Sequence, residues 1–70
     1  MNTKMQRLFS EEMIGHYYME GMNVALTSAY IRGMIDGCWI AGEVTDEERE
    51  SVKQLNLDVR ELYKHQDNDE

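Results

Sequence analysis

The stretch Ala41-Gly42-Glu43-Val44-Thr45-Asp46-Glu47-Glu48 constrains this chain most, because it marks where one helix must stop and another must start. Gly42 suits the left-handed position after a helix C-terminus, having no Cβ to clash there. Thr45 and Glu48 have the spacing of a capping box, in which each side chain accepts from an orphan amide of the new helix. The acids at 46 to 48 fall at the positive end of that helix. Proline is absent and strand-type alternation never lasts more than a few residues. The expected fold is therefore all-α, a small helical bundle of two to three helices built on an αα-hairpin.

Periodicity supplies the rest of the organisation. Downstream of the junction, Val52, Leu55, Val59 and Leu62 recur on one stripe, with Arg60, Lys64 and His65 toward the negative end, which predicts a helix over 45–64. Upstream, Ile31, Met34, Ile35, Cys38 and Trp39 form the apolar face of a helix over 23–41. Ser10-Glu11-Glu12 starts an earlier helix over 10–20, with Leu8 and Phe9 placed to staple it. A continuous helix from Ser10 to Ala41 would be about 48 Å long, too long for one ordinary partner helix to cover. A break is expected near Gly21-Met22-Asn23, with Asn23 as the new cap; the alternative is one long helix paired with a symmetry mate. Residues 1–9 are expected to be loose and 65–70 to form an acidic tail, leaving 10–64 as a single helical domain.

The least expected feature is the run of small residues Gly21, Ala25, Ala29, Gly33, Gly37 and Ala41, one at every fourth position. Residues four apart form a ridge on a helix surface, and a ridge without bulk admits a close neighbour. Interior glycines each cost about 1 kcal/mol of helix propensity relative to alanine, so Ala25, Ala29, Gly33, Gly37 and Ala41 are expected to form a helix-packing ridge. The ridge drifts by about 40° per step, so three or four consecutive members would meet any one partner.

Size and charge limit the options further. A chain of 70 residues buries only about 60% of its unfolded surface, and its single cysteine, Cys38, excludes an intramolecular disulfide. Homodimerisation through the 25–41 ridge is expected to complete so small a core. The formal charge of −7 argues against direct nucleic-acid binding and against anionic membranes, and steers the chain toward basic protein surfaces. No apolar run approaches the roughly 18 residues of a membrane span. With one unpaired thiol, a cytoplasmic setting is expected.

Chemistry-bearing residues are sparse. Glu12, His16 and Glu20 line one side of the 10–20 helix, but helical metal sites draw ligands from two or more helices, and a solvated polar face explains the row. Cys38 has no histidine placed beside it by sequence and sits at an apolar helical spacing, as a core residue would. Asp36 stands four residues after Arg32, the spacing of a helical ion pair. No phosphate loop, Cys-x-x-Cys or serine-based motif occurs. The expectation is a chain with no catalytic, cofactor-binding or metal-binding residues.

What remains is binding. Six methionines, four tyrosines and Trp39 exceed what three short helices need to bury. They either fill a glycine-notched core or face a partner, and Tyr17, Tyr18, Tyr30 and Trp39 are the interface candidates. Glu43, Asp46, Glu47, Glu48 and Glu50 form a candidate acidic surface. Helix-start preference accounts for part of it; the alternative reading is a surface that imitates phosphate charge spacing and occupies a partner's nucleic-acid groove.

In length, acidity and the Ala-Gly-Glu-Val-Thr-Asp-Glu-Glu hairpin the chain resembles small acidic helical accessory proteins of phage or prophage type. That resemblance implies a short helical bundle that binds and inhibits or modulates a protein in the host-cell cytoplasm. It assigns no residue a role. The expected function is a non-enzymatic protein-binding module, with two alternatives behind it: a self-assembling structural or assembly subunit, and after that a metal- or thiol-dependent enzyme using His16 or Cys38.

Overall fold

The computed structural model describes residues 1–64, and the expected tail 65–70 and His65 lie outside them. Four helices follow one another: α1 (Thr3–Leu8), α2 (Glu11–Glu20), α3 (Val24–Ile40) and α4 (Asp46–Tyr63). The chain is an all-α small helical bundle. Helices α3 and α4 form the hairpin, α2 packs across both, and α1 folds against α2.

Each helix start is satisfied by its own cap. Asn23 Oδ1 accepts from the Leu26 amide at 2.8 Å, and Ser10 Oγ from the Met13 amide at 3.1 Å. At α4 the capping box is complete: the Thr45 amide donates to Glu48 Oε1 at 2.8 Å, and the Glu48 amide donates to Thr45 Oγ1 at 3.1 Å. At the end of α3 the Glu43 amide reaches the Cys38 carbonyl at 2.9 Å and the Gly42 amide the Trp39 carbonyl at 3.0 Å. This is a Schellman closure. It requires φ of +80° at Gly42, a conformation that side-chain-bearing residues rarely adopt.

Residues 1–9 are not loose. Asn2 Oδ1 caps α1 by accepting from the Met5 amide at 2.8 Å, and Met5 and Phe9 are both buried in the core. Their four-residue spacing puts them on one side of a short helix, and that burial holds the segment down. The Met1 amine pairs with Glu48, whose side chain completes the α4 capping box.

The core is built from Ile14, Val24, Ile31, Ile35, Val44, Val52 and Val59, with Met5, Phe9 and Tyr18. Leu62, expected on the buried stripe of α4, is 70% exposed. Asn56 and Tyr63 take the inward positions instead. Asn56 is 1% exposed and lies at the meeting of three helices. Its Oδ1 accepts from the Tyr18 hydroxyl at 2.6 Å, and its Nδ2 donates to the Ser28 carbonyl at 3.1 Å. Tyr18 comes from α2 and Ser28 from α3, so one amide on α4 joins all three.

Burial of Tyr18 raises its pKa above the ordinary tyrosine value, the Ser28 hydrogen bond and the charge of Arg60 opposing only in part. A raised folded-state pKa favours the protonated phenol. Its contribution to stability is therefore whole below the unfolded value of about 10 and is lost as pH rises through the higher folded value. Asn56→Ala should cost about 2–4 kcal/mol in urea unfolding, because it leaves the Tyr18 hydroxyl and the Ser28 carbonyl buried without this partner. Tyr18→Phe should cost about 1–2 kcal/mol and flatten the loss of stability above about pH 10. An unchanged alkaline slope would show that Tyr18 is not the buried acid.

Candidate functional site

The residues singled out in the sequence do not gather at one place. Tyr18 is 2% exposed and belongs to the core, its ring stacked on Tyr63 with centroids 5.8 Å apart, so it is not an interface residue. The hydroxyl satisfied by Asn56 is what permits this burial. Tyr17 is half-buried, its hydroxyl donating to the Leu8 carbonyl at 3.3 Å. Its ring meets Tyr30 edge to face, with centroids 6.3 Å apart. Burial, and then the neighbouring Tyr30, raise the Tyr17 pKa.

Trp39 is set at the hairpin end. Its Nε1 donates to Asp46 Oδ1, and the Arg49 guanidinium lies 4.1 Å from the ring centroid. The indole is thus fixed by both helices while 38% of its surface stays exposed. Asp36 does not rely on Arg32, the partner its spacing suggested. Its Oδ1 stands 3.1 Å from both Arg49 Nε and Lys53 Nζ, across the hairpin. The Lys53 ammonium, followed by Arg49, holds the Asp36 carboxyl below the usual carboxylate range.

The acidic group divides by role. Glu48 is not part of an open surface, because its carboxylate closes the α4 capping box and pairs with the Met1 amine. Those contacts, the amine first and the Thr45 amide second, lower its pKa. Asp46 receives the indole of Trp39. Glu43, Glu47 and Glu50 are exposed around this end.

The small-residue ridge faces outward from the described residues. Ala25, Ala29, Gly33, Gly37 and Ala41 are all exposed, and a Cβ added to Gly33 or Gly37 would meet no atom within 4 Å. Helix α3 turns the opposite side inward, through Val24, Thr27, Ser28, Ile31 and Ile35. The ridge therefore is not what brings α3 and α4 together. Gly21 differs from the rest: a Cβ there would lie 1.8 Å from Thr27 Oγ1, so the turn between α2 and α3 leaves no room for a side chain.

Beside Gly33 and Gly37, large apolar side chains stand outward. Met22 is 91% exposed, Ile40 78%, Tyr30 62% and Leu26 56%. Leu26, Tyr30, Gly33, Gly37 and Ile40 follow one another at steps of four, three, four and three. At 100° per residue they fall within about 80° of arc. This is the spacing of a coiled-coil seam, and the four-residue ridge obscured it in the sequence because Ala25 and Ala41 wind off its edges.

His16, Glu12 and Glu20 are exposed. Among the described residues, no group of three His, Cys, Asp or Glu side chains is placed to hold a metal ion. Cys38 is half-buried, its Sγ 3.6 Å from Met5 Sδ. Among the same residues, no helix is long and apolar enough to cross a membrane. No family model, curated protein or solved structure matches the chain.

The two kinds of glycine should respond oppositely to the same change. Gly21→Ala should lower stability by about 1–3 kcal/mol through overpacking against Thr27. Gly33→Ala, in open space on α3, should raise it by up to about 1 kcal/mol. Thermal melting of dilute protein measures both, and destabilisation by Gly33→Ala in the single chain would contradict the exposed placement.

Proposed function

We propose that this chain is a non-enzymatic protein-binding module of the phage accessory type, one that inhibits or modulates a host protein by covering a basic functional surface. The observation that carries this proposal is the hairpin end, where Trp39 is held by Asp46 and Arg49 beside exposed Glu43, Glu47 and Glu50. An indole already fixed in place loses little freedom on binding, and tryptophan is the side chain most enriched at the energetic centres of interfaces. The surrounding carboxylates steer the approach toward cationic surfaces, including clefts that hold nucleic acid. Tyr17 and Tyr18 play no part in this edge, one being half-buried and the other in the core.

The alternative of a subunit that chiefly binds itself draws on a separate feature, the outward apolar side of α3. A target-binding edge and a self-association face are compatible on one molecule.

Affinity capture on the full chain at low salt tests the proposal. A specific protein should be retained, released by added salt, and held about 30-fold or more weakly by Trp39→Ala, the loss typical of a hot spot. Glu43→Lys with Glu47→Lys should chiefly slow association. Capture of nothing specific, or capture indifferent to these substitutions, would overturn it.

A further inference from the structure

We propose that two copies of this chain pair through the outer face of α3, antiparallel and centred on Gly33. The seam of Leu26, Tyr30, Gly33, Gly37 and Ile40 has coiled-coil spacing yet faces outward, away from the other helices among the described residues. Its centre is bare and its ends are bulky. Two such faces approach closely at the glycines while their large side chains overlap toward the ends.

The arrangement is self-complementary about Gly33, as a two-fold interface requires. Leu26 and Ile40 stand seven residues to either side of it, and Ala29 and Gly37 four to either side. In an antiparallel pair Ile40 of one copy therefore faces Leu26 of the other. Leu26 lines a mostly apolar cleft of 370 Å³ together with Tyr17, Glu20, Gly21, Met22, Thr27 and Tyr30. Ile40, 78% exposed, is the side chain to fill it. The two-fold axis makes that contact twice.

Charge selects both the occupant and the direction. Between Gly21 and Gly42 the only charged residues are Arg32 and Asp36, one of each sign, in a chain of net charge −7. Apart from Glu20 at the Leu26 cleft, this side carries no excess of negative charge, so two copies meet on it with little carboxylate repulsion, whereas a basic partner finds little on it to pair with. A parallel pair would crowd the two hairpin ends, each carrying Glu43, Asp46, Glu47 and Glu50, at one end of the dimer. The antiparallel pair sends them to opposite ends.

Sedimentation equilibrium of the full chain over a concentration series should give a monomer–dimer equilibrium. Leu26→Glu and Gly33→Leu should each weaken it more than about tenfold. Circular dichroism should show both variants folded, since the Gly33 position is open in the single chain, and Ile40→Glu serves as a third probe of the same face. Gly33→Leu in particular should leave or raise the melting temperature of dilute protein while abolishing the dimer. Mixed Leu26→Cys and Ile40→Cys chains, each also carrying Cys38→Ala, should crosslink as heterodimers on oxidation, and neither should crosslink alone. A wild-type monomer throughout the series, a dimer indifferent to Leu26→Glu and Gly33→Leu, or self-crosslinking of either cysteine variant overturns the proposal. So does a monomer that uses this face to hold a different protein. Target capture through Trp39 is measured separately, so loss of the dimer and loss of target binding are distinguishable.

Discussion

The structure depends on one buried amide. Asn56 accepts from Tyr18 of α2 and donates to Ser28 of α3, from a position that is itself closed to water. Apolar contacts are tolerant of small slides and rotations, and in a chain this short they leave several packings close in energy. A hydrogen-bonded network is not tolerant, because rotating any one helix leaves a buried polar group without its partner. The network thus fixes which side of α3 turns inward. Once Thr27, Ser28, Ile31 and Ile35 are inside, the Leu26 to Ile40 seam has to be outside.

This linkage explains what was legible in the sequence and what was not. The α3–α4 junction was legible because caps are local: Gly42, Thr45 and Glu48 satisfy amides and carbonyls within a few residues of themselves. The same locality exposed Asn23 and Ser10 as helix starts. Asn56 was not legible. An asparagine inside a helix with apolar neighbours resembles a solvated residue unless its partners, 38 and 28 positions away, are known. Missing it misplaced Leu62 inside and Tyr18 at an interface, since both errors come from assuming that only apolar side chains point inward. Helix α1 was missed for a related reason. Its exposed Lys4, Gln6 and Arg7 mask the pair Met5 and Phe9, whose spacing was the available signal.

The small residues of α3 carry a similar lesson about what a pattern establishes. A repeat of four identifies a ridge, and a ridge without bulk invites a neighbour, but nothing in the repeat says that the neighbour belongs to the same chain. The spacing of the large residues is more informative. Leu26, Tyr30 and Ile40 alternate with Gly33 and Gly37 at the intervals of a seam, while Ile31 and Ile35 serve the intramolecular core from the other side. Helix α3 is therefore apolar on two faces, and its own bundle covers one.

The two outward features differ in what holds them. Trp39 is anchored by Asp46 and Arg49, and Arg49 also approaches Asp36 together with Lys53, so the hairpin end is a charged lattice that fixes an aromatic ring. The α3 face is held by the backbone alone, its glycines contributing nothing to the single chain that alanine would not contribute better. An exposed helix with two such glycines is less stable than it need be. The deficit has a physical rationale only where the missing side chains leave room for another backbone, and the bundle itself leaves that room unused.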